Sequence, residues 1–293
     1  TPVHRWLLEL NPDELHYWNM YQLLALPDPL DVALLEEALA ALQAHHDALR
    51  LRLTQHANGR FHQYQTAPGE PIQIQQFDLA GKSVAEQQKI VQATAVSLHA
   101  QHNLTDGPIV QAAYFACGGV QPDRLFISIH HIAIDGISWR ILLEDWQTAY
   151  NQLAQGHAIA LPPKTTSFQA WAARLERHVQ DGGVADERPF WLKLAAEAAT
   201  IQSLPLDFPD AMSRNTVGST DSVSVTLTAA ETQALLQAVP PVYNTQINDA
   251  LLAALAQTFT GWTGSSCLLL DLEGHGREPI LNEVDISRTV GWF

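Results

Sequence analysis

Apolar residues return along this chain at two spacings, and the switches between them lay out its elements. From Asp31 they recur at Leu34, Leu35, Ala38, Leu42 and Leu49, which predicts a helix reaching about Arg50. Phe61–Gln65 and Pro71–Phe77 read as strands, and Ser83–His99 as a second helix. Pro108–Cys117 and Leu125–Ile134 are strand-like, joined by a turn at Gly118-Gly119-Val120-Gln121-Pro122. After Asp135-Gly136, residues Trp139, Leu142, Leu143, Trp146, Tyr150 and Leu153 fall on one helical face, and Gly156 ends that helix. The stripe reads as core rather than as a binding face.

Leu161-Pro162-Pro163-Lys164 is rigid and polar and follows a first α/β set, so a lobe boundary is expected there, dividing 1–160 from 161–293. Further on, Ser167–Val179 and Pro189–Ala199 read as helices and Leu204–Pro209 as an extended crossing. Asp221–Leu227 alternates as a strand, and Thr228-Ala229-Ala230-Glu231 is a capping box for the next helix. Ile247–Phe259 predicts another helix, and Ser266–Leu272 a short buried strand. The order of elements predicts two mixed α/β lobes with Leu125–Ile134 as an interior strand.

Two stretches carry candidate chemistry. His130-His131-Ile132-Ala133-Ile134-Asp135-Gly136 and Asp271-Leu272-Glu273-Gly274-His275-Gly276-Arg277-Glu278 each set proton-transfer groups beside a glycine-bearing turn after an apolar run. Imidazole and carboxylate are the commonest proton shuttles near neutral pH. The stretches lie far apart in sequence, so a site joining them is expected in a cleft between lobes. On a strand, His130 and His131 face opposite sides. His131 shares its side with Leu125, Ile127 and Ile129, His130 with Phe126, Ser128 and Ile132, and alternation does not choose between them. Asp135 suits a turn that anchors backbone amides or an arginine, and Gly136 a backbone shape closed to other residues. Glu273 ends an apolar run broken only by Asp271, so its carboxylate is expected at the mouth of a core, where burial would raise its pKa; a surface Glu before a turn is the plainer reading. Arg277 and Glu278 read as a solvated ion pair.

Composition narrows the chemistry. Sixteen basic against 31 acidic residues give a net charge of −15, which argues against nucleic acid as a ligand. Cys117 and Cys267 make neither a disulfide framework nor a metal knuckle, and a reducing, cytosolic setting fits. Adjacent strand histidines diverge, so zinc on His130, His131 and Asp135 is disfavoured. No Gly-x-Ser-x-Gly elbow signals a serine nucleophile, no apolar run is long enough to span a membrane, and there is no signal peptide. The chain starts at Thr1 and stops at Phe293, and both ends are expected to be cuts through a longer polypeptide.

Several segments, in order, resemble the epimerization domain of nonribosomal peptide synthetases, a branch of the condensation-domain superfamily. They are Thr1-Pro2-Val3-His4-Arg5-Trp6, His45-His46-Asp47-Ala48-Leu49-Arg50, the run from His130 through Asp145, Lys164-Thr165-Thr166-Ser167-Phe168-Gln169, Leu204-Pro205-Leu206-Asp207, Thr245-Gln246-Ile247-Asn248-Asp249, Glu273-Gly274-His275-Gly276-Arg277-Glu278 and Asp285–Phe293. The resemblance implies a two-lobed chloramphenicol-acetyltransferase-like fold with its site in a tunnel between lobes. It further implies inversion, L to D, at the Cα of an aminoacyl or peptidyl thioester held on the phosphopantetheine arm of a peptidyl carrier protein. His131 and Glu273 take the two proton-transfer roles, with His130, Asp135 and Gly136 as supporting motif residues. Neighbouring synthetase domains are implied as partners, and neither metal nor dissociable cofactor. Members of the family continue past the motif that ends at Phe293, so the second lobe is expected to be incomplete. A condensation domain forming a peptide bond, and an inactive carrier-docking domain, are the competing readings.

Overall fold

The structure, a computed structural model, describes residues 1–69, 71–119, 121–208 and 216–293. Helix α1 (Pro2–Leu10) leads to strand β1 (Asn19–Ala25), then helix α2 (Val32–His45), strands β2 (Leu51–Gln55), β3 (Phe61–Gln65) and β4 (Ile74–Asp78), and helix α3 (Val84–His99). Strands β5 (Val110–Ala116) and β6 (Arg124–His130) precede helices α4 (Gly136–Ala154), α5 (Phe168–Gln180) and α6 (Arg188–Ala198). Short helices α7 (Ala229–Gln233) and α8 (Val239–Tyr243) and the longer α9 (Ile247–Thr263) complete the regular structure.

Two compact units emerge: Thr1–Gly183 with the returning segment Gly274–Phe293, and Val184–Glu273. The first is built on a four-stranded sheet in the order β1-β6-β5-β4. β6 runs antiparallel to both β1 and β5, with Tyr21 opposite Ser128 and Ala112 opposite Ile127, while β4 and β5 are parallel and joined through α3. Leu125, Ile127 and Ile129 of β6 share one core with Leu35, Leu39 and Leu42 of α2 and Trp139, Leu142 and Trp146 of α4. Phe126, with Ala113 and Phe115 of β5, packs on the other side against Leu98 of α3. Both faces of β6 are covered, which explains its nearly continuous apolar sequence. Burying this set is the main stabilising term, at roughly 25 cal/mol per Å² of apolar surface removed from water. The stripe from Trp139 is core, as read from its spacing.

Helix starts follow the sequence signals. Asp31 accepts from Ala33 N–H at 2.9 Å, Ser167 from Ala170 N–H at 3.1 Å, and Thr228 and Glu231 cap each other. Other expectations give way. The helix from Asp31 ends at His45, and Asp47–Arg50 is a separate 3-10 turn. β6 stops at His130, and His131–Ala133 is a 3-10 turn rather than strand. The change of compact unit falls after Gly183, not after residue 160, because Leu161 packs against the main core and Phe168 and Trp171 of α5 are buried. Val120 in the expected turn and Pro209 at the end of the expected crossing lie outside the described residues.

The second unit is helical. Among its described residues none is buried, and neither Asp221–Leu227 nor Ser266–Leu272 forms a strand. Val223 and Val225 are 96% and 91% exposed and Leu272 is 69% exposed, so apolar alternation there has no strand beside it among the described residues.

Candidate active site

His130 and His131 are separated by their hydrogen bonds. His130 is fully buried; its Nε2 lies 2.8 Å from the Leu15 carbonyl and its Nδ1 accepts from the Ile132 N–H at 3.1 Å. Both nitrogens are committed, which defines a neutral ring carrying its proton on Nε2. Burial pushes its pKa down to about 4, against the opposing pull of the Leu15 carbonyl. His130 therefore holds the turn and has no free nitrogen for proton transfer. His131 opens the 3-10 turn, with its backbone N–H on the Trp18 carbonyl at 2.8 Å. Its ring is half-buried and lies against Trp292, centroids 4.1 Å apart. Its buried Nδ1 has no hydrogen-bond partner among the described residues. Of the two rings that alternation left open, His131 is the one with a nitrogen left unbonded among the described residues.

Asp135 is the N-cap of α4. Its Oδ1 accepts from the Ser138 N–H and hydroxyl, each at 2.7 Å. Arg277 meets the same carboxylate as a fork, Nη2 to Oδ2 at 2.9 Å and Nε to Oδ2 at 3.2 Å. Asp135 thus anchors both a helix start and an arginine, the two tasks expected of it. Arg277 is not the solvated partner of Glu278: its side chain is 7% exposed, and the exposed contact of Glu278 is with His275 at 3.6 Å. Arg277 further donates to the carbonyls of Ile286 at 3.2 Å and Thr289 at 2.8 Å, and its guanidinium carbon lies 3.9 Å from the centre of the Phe293 ring. Burial lowers the Arg277 pKa and Asp135 opposes that shift. A paired, fully hydrogen-bonded guanidinium is the form in which a buried charge is tolerated. Gly276 makes the turn possible: its φ is +65°, and a Cβ there would come within 2.5 Å of Phe293.

Gly136 does not have the special backbone expected of it. It is the first residue of α4 with no left-handed φ, and a Cβ would meet nothing within 4 Å. Glu273, the last residue of the second unit, is exposed, and the run before it is irregular, so the burial expected to tune its carboxylate is absent.

The early His45-His46 pair belongs to a second polar cluster. His46 Nε2 lies 2.8 Å from Asp145 Oδ2, and the other oxygen of Asp145 pairs with Arg288, which also reaches Glu144 at 3.3 Å. His45, His46 and Asp145 are the one group among the described residues with metal-ligand atoms close together. Both Asp145 oxygens are already engaged and a guanidinium stands beside them, so a cation would have to displace an ion pair. Sequence reading missed Ser138 and Trp292 as parts of the site and misassigned Arg277. A signal for Arg277 was present: it stands four residues after Glu273, as Asp135 stands four after His131.

A family model described as the condensation domain matches residues 1–293. One of the linear gramicidin synthase polypeptides of Brevibacillus parabrevis is 43% identical over 294 residues, covering 100% of this chain and 4% of that protein. Chondramide synthase of Chondromyces crocatus is 41% identical over 298 residues, and the chain spans 7% of it. Among solved structures, the epimerization domain from the third module of tyrocidine synthetase B superposes with a TM-score of 0.90 at 34% identity, over 100% of this chain and 65% of that one. The first condensation domain of the calcium-dependent antibiotic synthetase gives 0.67 at 19% identity, over 89% of this chain and 58% of that one, a likeness of fold alone.

Proposed function

The chain belongs to the condensation-domain family, and within it we propose that it acts as an epimerization domain of a nonribosomal peptide synthetase. The substrate is an aminoacyl or peptidyl thioester on the phosphopantetheine arm of a carrier protein, and the product is its D epimer. The observation that carries this reading is the tie between two motifs. Four residues after His131, Asp135 forms a forked ion pair with Arg277, which stands four residues after Glu273. A peptide-bond-forming domain would use His131, but its chemistry gives no task to a carboxylate at Glu273. The relative of known structure at 34% identity is also an epimerization domain.

The reaction balances as two proton transfers. One of His131 and Glu273 takes the Cα proton, and the electron pair moves onto the thioester carbonyl as an enolate. The other returns a proton to the opposite face, restoring the thioester with inverted Cα. Among the described residues, only His131 of the two histidines has a ring nitrogen without a hydrogen-bond partner, so it is the one of the pair left to carry a proton. The thioester acidifies the Cα, so the protein groups need only position and shuttle. Carrier protein and neighbouring synthetase domains are the partners this chemistry requires.

The test is to incubate the chain with an L-aminoacyl carrier protein in deuterated water, then release and analyse the aminoacyl group. Mixed L and D products, with one deuterium at Cα and no other mass change, are expected. A gain of an acyl or aminoacyl mass in the presence of a second loaded carrier would mean condensation instead. Unchanged L substrate would mean carrier docking without chemistry.

A further inference from the structure

Trp292 is 5% exposed and its ring meets two imidazoles, with centroids 4.1 Å from His131 and 5.9 Å from His4. An indole could fill that space merely as core, but the segment carrying it is held in an unusual way. Ser138 Oγ accepts from the Gly291 N–H at 3.1 Å and from Arg277 Nη2 at 3.2 Å. Its one proton has Asp135 Oδ1 at 2.7 Å and the Gly291 carbonyl at 3.0 Å, and the nearer, charged oxygen is the better acceptor. Ser138 is fully buried and sits on the first turn of α4, whose N-cap is Asp135. Gly291 has no room for a side chain, since a Cβ would lie 2.2 Å from the Phe168 ring. Two residues earlier, Thr289 Oγ1 donates to the Thr166 carbonyl at 2.6 Å.

The backbone on the N-terminal side of Trp292 is therefore fixed to the same helix start that follows the His131 turn. His131 has no such anchor of its own: its Nδ1 is buried and without a hydrogen-bond partner among the described residues, so no bond there sets the ring plane. The close, tilted ring contact with Trp292, planes 42° apart, is what remains to set it. We propose that Trp292, held in place by Ser138 through Gly291, is a positioning residue that fixes the ring plane of His131. This role rests on His131 being a proton carrier, as in the reading above.

The experiment uses the whole chain with isotopically labelled histidine and reads the His131 ring directly by NMR. In the wild type, cross-relaxation between Trp292 indole protons and His131 ring protons is expected, with the His131 lines shifted upfield by the indole. Trp292→Leu should move those lines downfield and lower the rate of α-proton exchange by about 10²-fold at unchanged KM, the scale of a misplacement of roughly 1 Å. Trp292→Phe keeps an aromatic face and should restore most of the rate. Ser138→Ala should move the same lines in the same direction by less. Should Trp292→Leu fail to fold, the wild-type contact and Ser138→Ala decide. A folded Trp292→Leu protein with unmoved His131 lines overturns the proposal, as does absence of the wild-type contact. If the wild type shows no α-proton exchange, the epimerization reading fails while the NMR readout still judges the contact.

Discussion

Leu125-Phe126-Ile127-Ser128-Ile129 and Val223-Ser224-Val225-Thr226-Leu227 are written in nearly the same alphabet, and they meet opposite fates. Every residue of the first is buried in the middle of a sheet, and every residue of the second is exposed and irregular. Intrinsic preference does not separate them, because β-branched and aromatic residues favour strands in both. What differs is company. β6 has β1 on one side and β5 on the other, with helices over both faces, so its backbone groups are paired and its side chains leave water. Val223–Leu227 has no neighbouring strand among the described residues. A strand is a property of a pairing rather than of a segment, and the two compact units differ accordingly in how much they bury.

The largest effect expected bears on whether the chemistry follows the same division. His131 belongs to the well-packed unit and Glu273 ends the exposed one. His131→Ala and Glu273→Gln should each lower α-proton exchange on a carrier-bound L-aminoacyl thioester by about 10²–10⁴-fold, the usual worth of a positioned proton-transfer group. Far-UV circular dichroism should stay the same. Near-normal wash-out by Glu273→Gln would confine the chemistry to the packed unit and remove the carboxylate from the mechanism.

Next in size is the ion pair that holds the returning segment to the first unit. Arg277→Ala leaves Asp135 buried with one partner gone and should cost about 3–5 kcal/mol in urea denaturation. Asp135 keeps its bonds to Ser138, so the damage should concentrate in Gly274–Phe293, which hydrogen exchange resolved by peptide can locate. Protection spread evenly across both units would contradict the division into two bodies.

Acid should separate the units more gently. His4 and His130 are buried with pKa values pushed to about 4, and His102 to about 3, burial being the largest cause in each. The unfolded chain takes up these protons first, near the ordinary value of 6.5. The stability these groups contribute is therefore complete above about pH 6.5 and is lost as pH falls toward 4. The expected slope is roughly 1.4 kcal/mol per pH unit for each histidine in that window. All three lie in the first unit, and no histidine lies between Val184 and Glu273. Hydrogen exchange at pH 7 and pH 5 should show peptides of the first unit losing protection and those of the second little changed. His130→Gln should flatten the slope for the first unit if the chain still folds.

Most longer helices and their caps were legible in the sequence because their signals are local, although α1 (Pro2–Leu10) went unread. Asp31, Ser167 and the Thr228–Glu231 box each act within one turn. Strands β3 to β6 were legible from alternation and flanking turns, and alternation misled at Val223–Leu227, where no neighbouring strand stands among the described residues. β1 and β2 went unread, since Asn19–Ala25 alternates weakly and Leu51–Gln55 follows the helical pattern almost without a break. At the candidate site, the motif marked the turn but not which histidine keeps an unbonded nitrogen, because that depends on the Leu15 carbonyl, which lies far off in sequence. Arg277 was misread for a related reason: its partner Asp135 is distant in sequence, while the neighbouring Glu278 suggested a local pair. Long-range pairing is what a single sequence states least plainly.

The smallest expected effect tests the opening contrast directly. Val225 is 91% exposed in the irregular segment, so replacing it with threonine removes almost no buried apolar surface. Val225→Thr should change stability by no more than about 0.5 kcal/mol, the ordinary range for a surface substitution away from special features. Ile127→Thr makes a comparable change of chemistry in β6, where the side chain is 3% exposed between α2 and α4, and it also buries a hydroxyl. A loss well above about 1 kcal/mol is expected there, from lost packing and an unpaired polar group. The two variants, followed by urea denaturation under one set of conditions, should thus fall far apart. Equal losses would mean that Val225 is buried against something in solution, and the exposed alternation at Val223–Leu227 would then have to be read as a strand with a partner.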